Sequence, residues 1–162
     1  FYINYLSVNG GIVSSRQGVK VWTEILIPDE VEDILVLPGG RTANRLLCLE
    51  PNKLKIIKAA AQEADICMMI ANGSSVLAQT GLLYHRQIAD YPGEENWKRM
   101  FTAEIRRGQN AKWISDGKYY SSSSTMAGFD MALGVISDMV DIELAVHIAN
   151  ELGYEWNQEM IF

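Results

Sequence analysis

The chain has 162 residues, of which 48% are hydrophobic, and it carries a formal net charge of −6. This length allows one full core, so a single domain over residues 1–162 is expected, and the acidic charge disfavours nucleic acid or an anionic membrane as partner, because both require clustered basic residues. No apolar run approaches the roughly 20 residues of a membrane span, and two scattered cysteines indicate reduced thiols, so the sequence predicts a soluble cytoplasmic protein.

The first part of the chain predicts short strands. Apolar and polar residues alternate over 2–8, and an antiparallel hairpin excursion at a sheet edge is predicted over 12–22. Residues 34–37 form a continuous apolar strand that ends in Pro-Gly-Gly. Its glycines, Gly39 and Gly40, can turn their amides toward a ligand at the carboxyl end of the strand, although a plain tight turn explains them equally well.

A helix and a second buried strand come next. The spacing of apolar residues predicts a helix over 52–63, and five successive apolar residues predict a strand over 66–70. Strand, helix and strand in this order form a βαβ unit, which requires parallel strands and a right-handed crossover. The fold class is therefore α/β with a mainly parallel sheet.

Small residues follow this strand at the sharpest predicted turn. The sequence Ala-Asn-Gly-Ser-Ser at 71–75 lets the chain reverse into a helix over 74–80, which Gly81 ends. A residue at the tip of such an elbow lies beside the unpaired N–H groups of a helix start, where a thiolate or an oxyanion is stabilised. The tip residue is Ala71, whose methyl group cannot act as a nucleophile.

The second half of the chain predicts helices that cover the sheet, with one further hairpin. The serines at 121–124 are interpreted as a polar segment that caps the next helix, and the apolar tail after Gly153 is expected to dock on the body. The predicted elements are a strand over 86–89, an amphipathic helix from Glu94 that ends at Arg106-Arg107-Gly108, a hairpin around Asp116-Gly117, and helices over 126–136 and 141–152.

Few other residues have side chains that could act as a nucleophile, a base or a metal ligand. Cys67 lies inside a predicted strand and is expected to be buried and inert, whereas Cys48 follows two arginines and is the more exposed of the two thiols. His85 and Asp90 could be combined with a serine as a triad, but no turn places the histidine against a hydroxyl. The two histidines and two cysteines lack the spacing of metal ligands, so neither a metal nor a cofactor is expected.

Three motifs occur in order along nearly the whole chain: ILVLPGG at 34–40, ANGSSVLAQTGLL at 71–83 and AGFDMAL at 127–133. Together they resemble the ThiJ/PfpI family, part of the class I glutamine amidotransferase-like superfamily. The combination is far more specific than any single motif. The tail sequence Tyr154-Glu155-Trp156 is most similar to stand-alone members such as isocyanide hydratase-like proteins.

The resemblance implies a flavodoxin-like three-layer α/β/α sandwich that forms a homodimer and carries a reactive cysteine at the elbow. In this chain the cysteine position is Ala71, and the position of the family histidine is Tyr91. The implied oxyanion donors are the backbone amides of Gly40 and Asn72, which persist whatever the side chain. Gly39 and Gly73 flank these donors and complete the implied ligand-binding set.

The resemblance also implies a strand and a helix of about 30 residues that precede Phe1. In a doubly wound sheet that strand is central, and its removal leaves backbone groups of two neighbouring strands unpaired. The natural protein is therefore expected to have an N-terminal segment before this chain.

These observations support three functional hypotheses. The first is a non-catalytic family member that binds a small polar or anionic molecule, because the amide frame is retained and the nucleophile is missing. The second is a cysteine-type hydrolase, hydratase or glyoxalase-like enzyme, in which Ala71 is engineered or functionally replaced. The third is the sensor domain of a transcription regulator.

Overall fold

The computed structural model describes residues 2–31, 33–101 and 104–158, with residues 47, 48 and 101 described by their backbone only. The side chain of Cys48, for which the sequence predicts exposure, therefore lies outside the described part of the chain.

The main sheet has four strands in the order β4-β5-β9-β8. Strand β5 pairs in parallel with both β4 and β9, and β8 runs antiparallel to β9. The parallel βαβ unit and the hairpin at Asp116-Gly117 are thus confirmed, and Gly117 adopts the positive φ of 63° that this turn requires. The strands are β4 (Ile34–Leu37), β5 (Ile66–Met69), β8 (Trp113–Asp116) and β9 (Tyr119–Ser122).

Helices cover both faces of this sheet, which confirms the α/β sandwich. Because side chains alternate along a strand, Cys67 and Met69 pack against α2 and α3, whereas Met68 packs against α5 on the opposite face. Among the described residues, no helix combines the length and apolar character needed to cross a membrane. The helices are α1 (Leu46–Leu49), α2 (Pro51–Glu63), α3 (Ser74–Thr80), α4 (Glu95–Lys98), α5 (Ala127–Met139) and α6 (Ile142–Glu151).

Two smaller sheets complete the described part. Strands β1 (Leu6–Ser7), β2 (Gly11–Ser14) and β3 (Lys20–Ile25) form one of them, in the order β1-β3-β2. The hairpin of β2 and β3 is antiparallel as predicted, but the strand predicted over 2–8 is reduced to two residues. The side chains of this sheet are mostly exposed, Trp22 and Ile25 among them.

The prediction of an amphipathic helix from Glu94 to Gly108 is wrong. Among the described residues of this stretch, only α4 and a following 3₁₀ turn are helical, and Arg106–Gly108 forms strand β7, which pairs in parallel with β6 (Gln87–Ala89). The apolar spacing that favoured a helix reflects two separate contacts with the core, because Ile105, just before β7, belongs to the buried cluster against which Trp97 of α4 packs. Tertiary pairing with β6 overrides the local helical pattern.

One edge of the main sheet is open. Among the described strands β4 pairs only with β5, and Val36 in its middle is 47% exposed although Leu35 and Leu37 are buried. An additional strand could form hydrogen bonds along this edge. The N-terminal strand expected before Phe1 stays a prediction.

Candidate functional site

The predicted elbow lies at the carboxyl end of β5, where the chain reverses into α3. Ala71 has a φ of 50°, in the left-handed region that side chains other than glycine rarely adopt, and it begins a 3₁₀ turn that leads directly into Ser74. Gly73 is required by packing, because a Cβ there would lie 2.3 Å from the carbonyl oxygen of Leu37. The backbone is thus a tight elbow with Ala71 at its tip.

Strand β9 anchors the elbow from the other side. The Ala71 N–H donates to Ser122 Oγ at 3.2 Å, and Ser122 Oγ donates in turn to the carbonyl oxygen of Ser124 at 3.0 Å. The sequence interpretation of 121–124 as a helix cap holds only for Ser124, whose Oγ accepts from the Ala127 N–H. Ser121 and Ser122 are instead fully buried residues of β9.

The structure brings Gly40 and Asn72 together through two hydrogen bonds. The Gly40 N–H donates to Asn72 Oδ1 at 3.0 Å, and Asn72 Nδ2 donates to the Gly40 carbonyl oxygen at 3.0 Å. Gly39 allows this close approach, because a Cβ there would lie 2.5 Å from Asn72 Oδ1. The Gly40 amide that the resemblance assigns to an oxyanion therefore already has an acceptor within the chain.

Tyr91 occupies the position opposite the elbow and is only 3% exposed. Its hydroxyl donates to Glu94 Oε2 at 3.1 Å and lies 2.6 Å from Ser75 Oγ, which donates to it in this arrangement. Burial raises the pKa of Tyr91 to about 12, opposed by the Ser75 hydrogen bond and assisted by the nearby Glu94 charge. The phenol is thus a hydrogen-bond donor at neutral pH.

Glu94 is the site residue that the sequence interpretation missed. It was assigned to the first turn of a helix, but it adopts a left-handed φ of 60° just before α4. Its Oε2 accepts from Tyr91, and its Oε1 lies 3.4 Å from Asn72 Nδ2. The turn at Pro92-Gly93 was the available signal, because it reverses the chain immediately after the histidine-equivalent position.

A buried charge cluster lies behind Tyr91. Lys98, which is 3% exposed, donates to the Tyr91 carbonyl oxygen and lies 2.9 Å from Asp90 Oδ1 and 3.3 Å from Glu95 Oε1. Its ammonium is 4.6 Å from the centre of the Tyr91 ring. The guanidinium of Arg107 lies 3.8 Å from Asp90 and 5.8 Å from the same ring. These contacts fix the orientation of the Tyr91 side chain.

An open cleft of about 290 Å³ lies between the elbow and the start of α5. Its lining residues carry four hydroxyls, one side-chain amide and one carboxylate but no thiol. Cys67 is fully buried in β5, and burial raises its pKa to about 11, so its thiol is protonated and inert as predicted. No group of three metal-ligating side chains was found within the described ranges. The cleft is lined by Ala71, Asn72, Tyr91, Pro92, Glu94, Ser123, Ser124 and Thr125.

Comparisons with known proteins agree with this architecture. The sequence model of the DJ-1/PfpI family matches residues 1–138. The chain is 22% identical over 116 residues to the Parkinson disease protein 7 homolog of Danio rerio, which covers 72% of this chain and 60% of that protein. It is 30% identical over 120 residues to a deglycase of Pyrococcus abyssi, which covers 72% of this chain and 69% of that protein.

A solved structure shows the same fold at low identity. An AraC family transcriptional regulator from Pseudomonas putida superposes with a TM-score of 0.75 at 20% identity, over 91% of this chain and 78% of that one. The matched region spans three fifths of the Danio rerio relative and about two thirds of the Pyrococcus abyssi one.

Proposed function

Because the chain belongs to the DJ-1/PfpI family but carries alanine at the elbow tip, we propose that it is a non-catalytic member that binds a small polar molecule in the cleft beside Ala71. The observation that supports this most directly is the left-handed elbow backbone, with a φ of 50° at a residue that has no reactive side chain. A covalent intermediate needs an attacking atom, and a methyl group offers none.

No other group in the cleft is arranged as a substitute nucleophile. The hydroxyls of Ser123, Ser124 and Thr125 line the cleft, but a hydroxyl needs an adjacent base to attack, and no histidine is among the lining residues. The one carboxylate, Glu94, accepts a hydrogen bond from Tyr91 instead. The cleft therefore supports binding better than group transfer.

The ligand is proposed to be polar and small. Six of the eight lining residues carry a hydroxyl, amide or carboxylate group, and the volume of about 290 Å³ is at the lower end for small-molecule sites. An anionic ligand at the Gly40 amide would first require Asn72 Oδ1 to move away from that N–H.

The test compares the natural chain with the Ala71→Cys variant, using 2-oxoaldehydes, isocyanides and peptides as substrates. We expect no turnover by the natural chain above the buffer rate, because loss of a nucleophile typically lowers the rate by about 10⁶-fold. Ser14→Cys, which places a thiol on an exposed strand, controls for reaction of any surface thiol with these substrates. Turnover by the natural alanine form would contradict a non-catalytic role.

Two alternative functions remain proposals, and each is motivated by one of the comparisons. The deglycase of Pyrococcus abyssi motivates a cysteine-type enzyme in which Ala71 is engineered or functionally replaced, and DNA sequencing of the natural gene at this codon tests it. The AraC family regulator motivates a sensor domain, which requires a DNA-binding domain elsewhere in the natural protein. A closer relation to the isocyanide hydratase-like members is tested by the same substrate panel.

A homodimer and a cytoplasmic location also remain proposals. The three-stranded sheet exposes the large apolar side chains of Ile12, Trp22 and Ile25, and exposed apolar patches on a protein commonly mark an interaction surface. Light scattering coupled to size-exclusion chromatography measures the oligomeric state. A mass of one chain at micromolar concentration contradicts the dimer, and fractionation of cells tests the location.

A further inference from the structure

We propose that the cleft beside Ala71 selects a small molecule that carries a cationic amine, and that the Glu94 carboxylate is the group that binds this amine. The inference rests on the proposed binding function and specifies its ligand class. It differs from the sequence expectation of a polar or anionic ligand, which depended on a free amide at Gly40.

The first step is the charge of the lining. Of the residues that line the cleft, Glu94 is the one acidic residue, and no lysine or arginine is among them. Within this cleft an anionic ligand would therefore lie beside a carboxylate, whereas Lys98 and Lys112 line the adjoining cleft of about 490 Å³. A cationic ligand would instead form a charge-assisted hydrogen bond to Glu94.

The second step concerns the cations behind Tyr91, which could in principle neutralise Glu94. Lys98 lies within 3.3 Å of both Asp90 and Glu95, and Arg107 lies 3.8 Å from Asp90. The charges of these two cations are thus balanced by Asp90 and Glu95, although the buried guanidinium nitrogens of Arg107 have no hydrogen-bond partner in the described part of the chain. The negative charge of Glu94 is left without an ionic partner among the described residues.

The third step is the remaining hydrogen-bonding capacity of Glu94. Each of its oxygens accepts one contact, from Tyr91 Oη at 3.1 Å and from Asn72 Nδ2 at 3.4 Å. A carboxylate offers about four acceptor sites, so about two remain for a ligand. These two contacts also hold the carboxylate in place, so it needs little ordering when a ligand binds.

The fourth step considers the groups that could attract an anion. The N-terminus of α5 faces the cleft, but Ser124 Oγ accepts from the Ala127 N–H, and the Gly128 N–H donates to the Ser124 carbonyl oxygen. The Gly40 N–H donates to Asn72 Oδ1. The N–H groups of Ala127, Gly128 and Gly40 therefore already have acceptors within the chain.

The experiment uses three probes of similar size that differ in charge: ethanolamine, ethylene glycol and glycolate. Each is titrated into the isotopically labelled protein, and amide shifts are followed by NMR at Asn72, Ser124 and Thr125. The matched variant is Glu94→Gln, which keeps the side-chain length and removes the charge. The control is Glu63→Gln, an exposed position at the end of α2.

We expect ethanolamine to bind at these residues about fivefold more tightly than glycolate, the effect of one partly solvated ion pair. Glu94→Gln should abolish this preference, and Glu63→Gln should retain it. A second readout needs no variant: higher ionic strength should weaken ethanolamine binding and leave ethylene glycol binding unchanged.

The contrary outcomes are distinguishable. Preferential binding of glycolate at the same residues overturns the cationic class and leaves the binding function standing. A preference for ethanolamine that persists in a folded Glu94→Gln variant overturns the role of Glu94. If no probe shifts any of these amides, both this inference and the proposed binding function are overturned.

Discussion

The position of the Glu94 carboxylate is most sharply tested by the substitution Asn72→Asp. Asn72 Nδ2 donates to the Gly40 carbonyl oxygen at 3.0 Å and lies 3.4 Å from Glu94 Oε1. The substitution keeps the shape of the side chain but replaces this donor with an oxygen. The new oxygen then faces a carbonyl on one side and a carboxylate on the other.

The magnitude follows from these distances. The loss of the Gly40 contact removes a hydrogen bond that contributes about 1 kcal/mol. Two unit charges at about 3.4 Å repel by about 5 kcal/mol at an effective dielectric constant of about 20, and solvent on the cleft side reduces this to roughly 1–2 kcal/mol. Asn72→Asp should therefore lower the free energy of unfolding by about 2–3 kcal/mol at neutral pH.

The assay is urea unfolding across pH, with Asn72→Ala as the comparison, because alanine removes the hydrogen bonds without adding charge. The introduced carboxyl lies beside an anion, so its folded pKa is raised above the unfolded value. Its protonated form is thus favoured in the folded state, and stability is lost as pH rises through the folded pKa. The free energy of unfolding of Asn72→Asp should therefore rise relative to that of Asn72→Ala as the pH falls from neutral to below about 5. If the difference in unfolding free energy between Asn72→Asp and Asn72→Ala is the same at neutral pH and below about pH 5, Glu94 does not lie beside position 72.

Four further predictions concern the elbow, the buried phenol and the open sheet edge. Gly73→Ala should lower the free energy of unfolding by about 3 kcal/mol, because the added Cβ would lie 2.3 Å from the backbone oxygen of Leu37. The control is Gly40→Ala, whose Cβ would meet nothing within 4 Å, and it should change the free energy of unfolding by less than about 0.5 kcal/mol in urea unfolding. Ala71→Gly should raise the unfolding free energy by about 0.5–1 kcal/mol, since glycine relieves the positive φ at the cost of some chain entropy; a loss of stability would contradict a strained elbow. The pKa of Tyr91 is raised from 10.0 to about 12, so the stability that its protonated hydroxyl contributes is present below pH 10 and is lost as the pH rises through about 12. Over this range the urea midpoint should fall less steeply for Tyr91→Phe than for the unsubstituted chain. If an additional N-terminal strand pairs with the free edge of β4, as we propose, the intact mass of the protein from its natural source exceeds 18.1 kDa.

The parts of the fold that were predictable from sequence are those with strong local signals. The apolar runs at 34–37 and 66–70 correspond to β4 and β5, and the helix predicted over 74–80 has those bounds. The Gly81 C-cap, with a φ of 81°, explains the accuracy at that helix end. Each of these signals arises from residues that are close together in the sequence, so contacts with distant parts of the chain did not change the predicted element.

The region after Tyr91 shows where local reasoning fails. Its apolar spacing fits a helix, but β7 pairs with β6, which lies about 20 residues earlier in the chain. A strand of three residues is too short to show an alternating pattern of apolar and polar residues, so this pairing is not visible in the sequence. The same error hid Glu94, because the sequence pattern places it at the start of a covering helix and gives it no part in the site.

The shape of the cleft does not depend on a nucleophile. A left-handed alanine costs about 1–2 kcal/mol, and its methyl side chain makes no hydrogen bond that would offset this cost. The strained turn is held by other residues: Ser122 accepts from the Ala71 amide, Asn72 bonds to both backbone groups of Gly40, and Gly73 packs against β4. Because these contacts do not involve the side chain at the tip, a methyl group there leaves the cleft and the Glu94 carboxylate in place. The proposed function therefore requires that binding and covalent chemistry are separable in this fold, so that a chain without the second retains the first.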